Sequence, residues 1–241
     1  MKKAVFNWSG GKDSALCLYQ CLNDKNIEIK YLLTTLSEQY NRISMHGVRK
    51  ELLQLQAENI GIKLKEIYLP EVASLEVYDE IMRKSSEEFK NEGIEYSIFG
   101  DIFLADLRKY REDRLAEVQM KGLFPLWKRP SVEIIKEFIG LGFKTVIVCV
   151  DDKYLDKSFT GRVIDENFLN DLPENVDPCG ENGEFHTFVF DGPIFKNKID
   201  YELGEVVHKE YKATRKDTDD NNGGTENQDA VFWYRDILIK S

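Results

Sequence analysis

The sequence predicts an α/β protein: a parallel sheet covered by helices on both faces, followed by a smaller α/β domain. Three observations predict it. Short apolar runs alternate with amphipathic helical patterns over the first hundred residues, the succession expected of a parallel sheet. A glycine turn, Ser9-Gly10-Gly11, joins the first run to the first helix. Beyond Gly122–Pro130, where two prolines and a tryptophan interrupt the pattern, strand and helix signals resume.

Element by element, Ala4–Trp8 reads as a short buried strand and Ser14–Leu22 as a helix. Glu28–Leu36 is a second strand, and Val48, Leu52, Leu55 and Ile60 recur at near-helical spacing until Gly61 closes that helix. Leu64–Leu69 is a third strand stopped by Pro70, and Glu76–Asn91 a charged helix stopped by Gly93. Tyr96–Phe99 is a fourth strand, ending at Gly100-Asp101, and Leu104–Lys121 is helical. In the second half, Ser131 is expected to cap a helix carrying Val132, Ile135, Phe138 and Ile139 on one face. Thr145–Val150, Phe185–Phe190, Glu205–Tyr211 and Val231–Ile239 read as strands, with a helix at Val163–Leu172. The polar stretch 212–229 has nothing to bury and reads as a mobile hairpin loop. The expected domains are therefore 1–125 and 126–241.

Composition narrows the function. Of the 241 residues, 42% are hydrophobic, enough for a core and too many for a disordered chain. A net charge of −10 makes nucleic acid or an anionic membrane an unfavoured partner. No apolar run approaches the roughly 18 residues of a membrane span, and the N-terminal run is too short for a secretion signal. Four scattered cysteines do not make a disulfide framework, so a cytoplasmic protein with free thiols is expected. A homodimer is compatible with this composition.

The sharpest chemical signal is Ser9-Gly10-Gly11-Lys12-Asp13-Ser14, between the first strand and the first helix. Two glycines let backbone amides approach an anion, and the helix that follows offers its N-terminal amides and positive dipole end. Ser9 and Ser14 supply hydroxyls and Lys12 a charge. Asp13 would repel phosphates unless a Mg²⁺ ion lay between them, so it is the expected metal ligand. The motif is not a Walker A loop, because Phe6 stands where that loop needs glycine and Asp13 follows the lysine.

These six residues resemble the PP-loop of the N-type ATP pyrophosphatases, whose fold is of the adenine nucleotide alpha hydrolase (HUP) type. Further segments are similar to the diphthine–ammonia ligase branch of that family: Phe99-Gly100-Asp101-Ile102, Leu107–Arg111, Phe124–Trp127, and Cys179–Thr187 continuing through Phe195. The resemblance implies an ATP-dependent amide ligase that adenylates a carboxylate, releases pyrophosphate and admits ammonia. It implies ATP held by Ser9, Gly10, Gly11, Lys12 and Ser14, adenine recognised near Thr34 and Thr35, and contributions from His46, Gly100 and Asp101. Lys12, Asp13 and Glu184 are the implied catalytic residues. Glu181, Asn182, Gly183, Glu184, His186 and Thr187 are implied to bind the acceptor, a carboxylate on a small molecule or a protein.

Two other functions fit the same loop. Thiolating relatives use sulfur as the nucleophile but generally carry a Cys-x-x-Cys pair or an RNA-binding domain, and neither is visible here. A sensor of ATP or AMP without turnover would have less need of Asp13. Individual residues have blander readings too: His46 as a helix cap, His186 as a core histidine, and Cys179 as a small buried side chain. The basic stretch Arg108, Lys109, Arg111 and Arg114 reads equally as an anion site or as a salt-bridged helix face.

Overall fold

A computed structural model of the chain describes residues 1–43, 46–70, 74–211 and 230–240. The expected loop at 212–229 lies outside them. The first sheet comprises β1 (Lys2–Asn7), β2 (Ile27–Ser37), β3 (Leu64–Leu69), β4 (Tyr96–Ile98) and β5 (Lys121–Leu123). Its order is β3-β2-β1-β4-β5, with every pairing parallel. The connecting helices are α1 (Lys12–Asn23), α2 (Lys50–Ile60), α3 (Leu75–Asn91) and α4 (Ala105–Glu117).

Strand alternation decides which helix covers which face. Ala4 and Phe6 of β1 point to one side, where they share a core with Leu16 and Leu18 of α1 and Leu52 of α2. Val5 points to the other, toward Phe89 of α3 and Leu115 of α4. Burying each such side chain contributes about 1.5–3 kcal/mol. Local sequence sets the helix ends. Gly61 adopts φ 82° and closes α2, while the Ser74 hydroxyl accepts from the Val77 amide at 3.3 Å and opens α3.

The second sheet is antiparallel, with order β7-β6-β9-β8. It is built from β6 (Lys144–Asp151), β7 (Phe185–Asp191), β8 (Tyr201–Tyr211) and β9 (Ala230–Ile239). α5 (Ser131–Gly140) and the short α6 (Glu166–Asp171) complete this half. Its inner residues, among them Val146, Val148 and Phe188, join the same core as Phe6 and Leu16. One continuous apolar interior thus underlies both sheets.

Several expectations need correction. β5 was hidden at the end of the predicted fourth helix, because a three-residue strand containing Gly122 carries no alternation to read. The N-cap of α5 is Pro130, and Ser131 is the first helical residue with no side-chain cap. The helix expected over Val163–Leu172 starts only at Glu166, where the Asp165 carboxylate accepts from the Phe168 amide at 2.8 Å. Val163 instead bridges Val146 of β6. β8 begins four residues earlier than expected, at Tyr201.

Candidate active site

In a parallel sheet, ligands collect at the carboxyl ends of strands where the order reverses, here between β1 and β4. Ser9–Ser14 follows β1 and Gly100-Asp101 follows β4, so the two meet there. The approach is close: a Cβ on Gly100 would stand 3.2 Å from the Asp13 backbone. Gly10 has φ +74°, and a Cβ on it would lie 2.7 Å from Gln56 Oε1. Gly10 is therefore required for its left-handed backbone and its close approach to Gln56, while a side chain at Gly100 would press on the loop.

The second half of the chain clamps this loop. The Val189 amide donates to the Gly10 carbonyl at 2.9 Å. Gln56 donates to the same carbonyl at 3.0 Å and to the Val189 carbonyl at 2.6 Å, while its oxygen accepts from the Trp8 indole at 2.9 Å. The Lys12 amide donates to Thr187 Oγ1 at 3.0 Å. Ser9 Oγ donates to Ser14 Oγ at 3.1 Å, and Ser14 Oγ also donates to the Gly11 carbonyl at 2.9 Å.

Charge is concentrated beside the loop. Lys12 Nζ donates to Asp13 Oδ2 at 2.7 Å and to the Cys179 carbonyl. Burial works to lower the Lys12 pKa, but Asp13 and its anionic neighbours carry it upward. Burial pushes the Asp13 carboxyl above the usual carboxylate range, against the pull of Lys12. Asp13 Oδ1 is buried and has no protein partner. An unpartnered carboxylate oxygen beside an anion-binding loop fits Mg²⁺, which keeps water and phosphate oxygens and takes only one or two protein carboxylates. Among the described residues no group of three or more His, Cys, Asp or Glu side chains forms a metal cage.

The turn between α6 and β7 forms the opposite wall. Glu181 Oε1 accepts from the Ile102 amide at 2.9 Å, bridging this turn to the segment after β4. Burial, reinforced by Asp13, raises the Glu181 carboxyl to about 7. The His46 and His186 rings stack with centroids 4.5 Å apart. Burial lowers His46 to about 4 and His186 well below the ordinary histidine range, so both are neutral at pH 7. His46 Nδ1 lies 3.3 Å from the Thr187 carbonyl, while His186 Nε2 is buried without a partner. The segment carrying His46 is pinned in turn by Asp236 of β9, which accepts from Arg42 at 2.8 Å and Arg49 at 2.6 Å.

A cavity of about 820 Å³ unites these groups. Ser9, Gly11, Lys12, Asp13, Ser14, Thr34, Thr35, His46, Gly100 and Asp101 line it, as do Glu181, Asn182, Gly183, His186 and Thr187. Gly10 does not line it, its carbonyl being engaged in the clamp.

Glu184 is a correction. It is 1% exposed and does not line the cavity. Its oxygens accept from the amides of Asp177 and Asn182 and from the Asn182 side chain, at 2.9–3.0 Å. A carboxylate so occupied holds a turn rather than moving a proton. Glu184→Ala is expected to lower stability by roughly 1–3 kcal/mol, the cost of buried donors left unpaired. A thermal melt checks this, and an unchanged midpoint would contradict it.

Cys179 is 1% exposed, with burial driving its thiol upward, so it is no thiolate nucleophile. Arg108 and Lys109 pair along α4 with Glu112 and Asp113, as the salt-bridged reading expects, whereas Arg111 and Arg114 line the cavity. Tyr78, Asp79 and Met82 also line it and carry no motif, and so does Tyr110, from the Leu107–Arg111 segment. Their signal was the spacing of Tyr78, Met82 and Phe89 along one side of α3.

A glycine-rich phosphate loop at the switch point of a parallel sheet defines a nucleotide-binding α/β protein of the PP-loop class. The chain belongs to the diphthamide synthase family: residues 1–122 match the diphthamide synthase N-terminal domain and residues 130–218 its C-terminal domain. Among curated relatives it is similar to the diphthine–ammonia ligase of Danio rerio, 26% identical over 83% of this chain and 86% of that protein. The diphthine–ammonia ligase of Homo sapiens is also 26% identical, over 83% and 82% of the two chains. Among solved structures, a U34-tRNA thiolase from Methanococcus maripaludis aligns over 58% of this chain and 57% of its own. At 19% identity and a TM-score of 0.37, that likeness carries no weight. No helix of the described residues is long and apolar enough to cross a membrane.

Proposed function

We propose that this chain is an ATP-dependent amide ligase, which adenylates a carboxylate and then amidates it with ammonia. The carrying observation is the phosphate loop at the β1/β4 switch point, walled by the Glu181–Thr187 turn, in a chain whose relatives are named diphthine–ammonia ligase. Diphthine is the acceptor this kinship suggests. We assign ATP to residues 1–125 and the second wall of the acceptor site to 126–241.

The amides of Gly11 and its neighbours, with Ser9, Ser14 and Lys12, hold the β- and γ-phosphates as the departing pyrophosphate. Bound at Asp13, Mg²⁺ would neutralise charge building on the phosphate oxygens. The acceptor carboxylate oxygen attacks the α-phosphorus, the bond from that phosphorus to the bridging oxygen breaks, and pyrophosphate leaves. Ammonia then attacks the acyl carbon and AMP departs. Glu181 is placed to take the proton that the attacking nitrogen must lose, since a carboxyl near neutrality is matched to that task. Seating both reactants in one cleft supplies the orientation that this two-step transfer requires.

Incubation with ATP, Mg²⁺, ammonium and a diphthine-bearing elongation factor should yield AMP and pyrophosphate. Chromatography of the spent nucleotide decides the matter. ADP as the main product would overturn the assignment.

A further inference from the structure

The cavity does not end at the phosphate loop. It continues under the sheet's second face, between that face and α3 and α4. There Val5 and Leu33 form the floor, Tyr78 and Met82 one wall, and Leu107 and Tyr110 the other. Ser86 and Phe89 of α3 and Leu115 of α4 line its far end, Phe89 and Leu115 being buried in one cluster with Val5. Polar struts keep it open. The Tyr110 hydroxyl donates to Asp79 of α3, and Arg114 of α4 reaches the same carboxylate at 3.6 Å. Nearer the loop, Arg111 forms an ion pair with Asp101.

An apolar space that is propped open, rather than collapsed, normally serves a ligand. Its volume, shared with the phosphate site, lies high in the ~300–1,000 Å³ range of single-ligand pockets, leaving room for a second reactant. Its charged groups cancel, Asp79, Asp101 and Glu117 against Arg83, Arg111 and Arg114, so it offers no net attraction to a charged body. In the wall across the cleft, Glu184 is committed to its own turn and the Thr187 hydroxyl to the Lys12 amide.

We propose that the non-reacting body of the acceptor lies in this α3/α4 chamber, and that the acceptor class is therefore carboxylates on an elongated apolar or aromatic body. This rests on the ligase reading, and it moves the acceptor's main contacts from the Glu181–Asp191 segment to the other half of the chain. Short polar carboxylates are excluded as efficient acceptors because they would leave the chamber unfilled.

The test reads binding rather than turnover. The probes are ω-phenylalkanoic acids, from phenylacetate to 6-phenylhexanoate, titrated calorimetrically into the full chain saturated with Mg²⁺ and a non-hydrolysable ATP analogue. Affinity should rise roughly fourfold for each methylene that enters the chamber. A benzophenone-bearing hexanoic acid should photolabel α3 or α4, Met82 foremost, as mapped by peptide mass spectrometry. Ser86→Trp, which narrows the chamber, should weaken 6-phenylhexanoate at least tenfold while analogue binding is unchanged. Affinity independent of chain length, or labelling of the 181–191 segment, would overturn the proposal. So would a Ser86→Trp variant that loses the nucleotide instead, since the chamber would then hold the base. Should that variant fail to fold, the photolabel on the unaltered chain decides. ADP formation in the product assay would sink the ligase reading alone, because these readouts need no reaction.

Discussion

Asp13→Asn is expected to reduce AMP formation by about 10²–10³-fold or more, the scale of losing a group that stabilises developing phosphate charge. The physical reason is the vacant Oδ1. It is buried and has no protein partner, so its removal as an anion should be felt mainly by a bound Mg²⁺. Some stability should go with it, because Lys12 is 4% exposed and loses its charged partner at Oδ2. The Cys179 carbonyl remains to accept from the ammonium. Chromatography of spent nucleotide gives the first effect and a thermal melt the second. Full activity in the variant would remove Asp13 from the metal site.

Glu181→Gln should lower acceptor-dependent turnover by roughly 10²-fold, the usual contribution of one acid–base group. Nucleotide affinity should hold, because the phosphate contacts come from the other half. The pH profile separates this role from a structural one. Glu181 works as a base only when ionised, and its carboxyl sits at about 7, so the rate of the unaltered enzyme should climb as pH rises through 7. The glutamine variant should lose that rising limb. The same elevation acts on stability in the opposite sense: between the ordinary carboxyl value of 4.5 and about 7 the folded chain binds the extra proton, so this residue's contribution falls as pH increases. If the variant keeps the limb, the proton goes elsewhere.

Where a local rule sufficed, the sequence was enough. Ser9–Ser14 announces its chemistry because each residue type answers a local demand, and Leu64–Leu69 ends where Pro70 forbids the next sheet bond. What stayed hidden depends on partners far along the chain. Glu181 and Glu184 are equivalent in a linear motif, and only folding shows that one faces the cavity while the other is tied into its turn. The propped chamber was equally invisible. Tyr78 and Asp79 lie on a helix that reads simply as charged, and their meaning comes from α4 beside them. A three-residue strand such as β5 has too few positions for any period to show.

The clamp on the phosphate loop bears on how this protein is made. Gly10 is held by Val189, the Lys12 amide by Thr187, and Arg42 and Arg49 flanking His46 by Asp236, so each tether lies between 175 and 194 residues from what it holds. Contacts of such separation form late, after the entropy of closing long loops has been met. On the ribosome, residues 1–125 emerge with all six phosphate-loop residues present, yet without the bonds that shape them. The nascent first half then lacks the bonds that tie its loop down, and these arrive only with β7 and β9. Synthesis thereby orders the two events: the loop takes its clamped shape only once the wall across the cleft has been made.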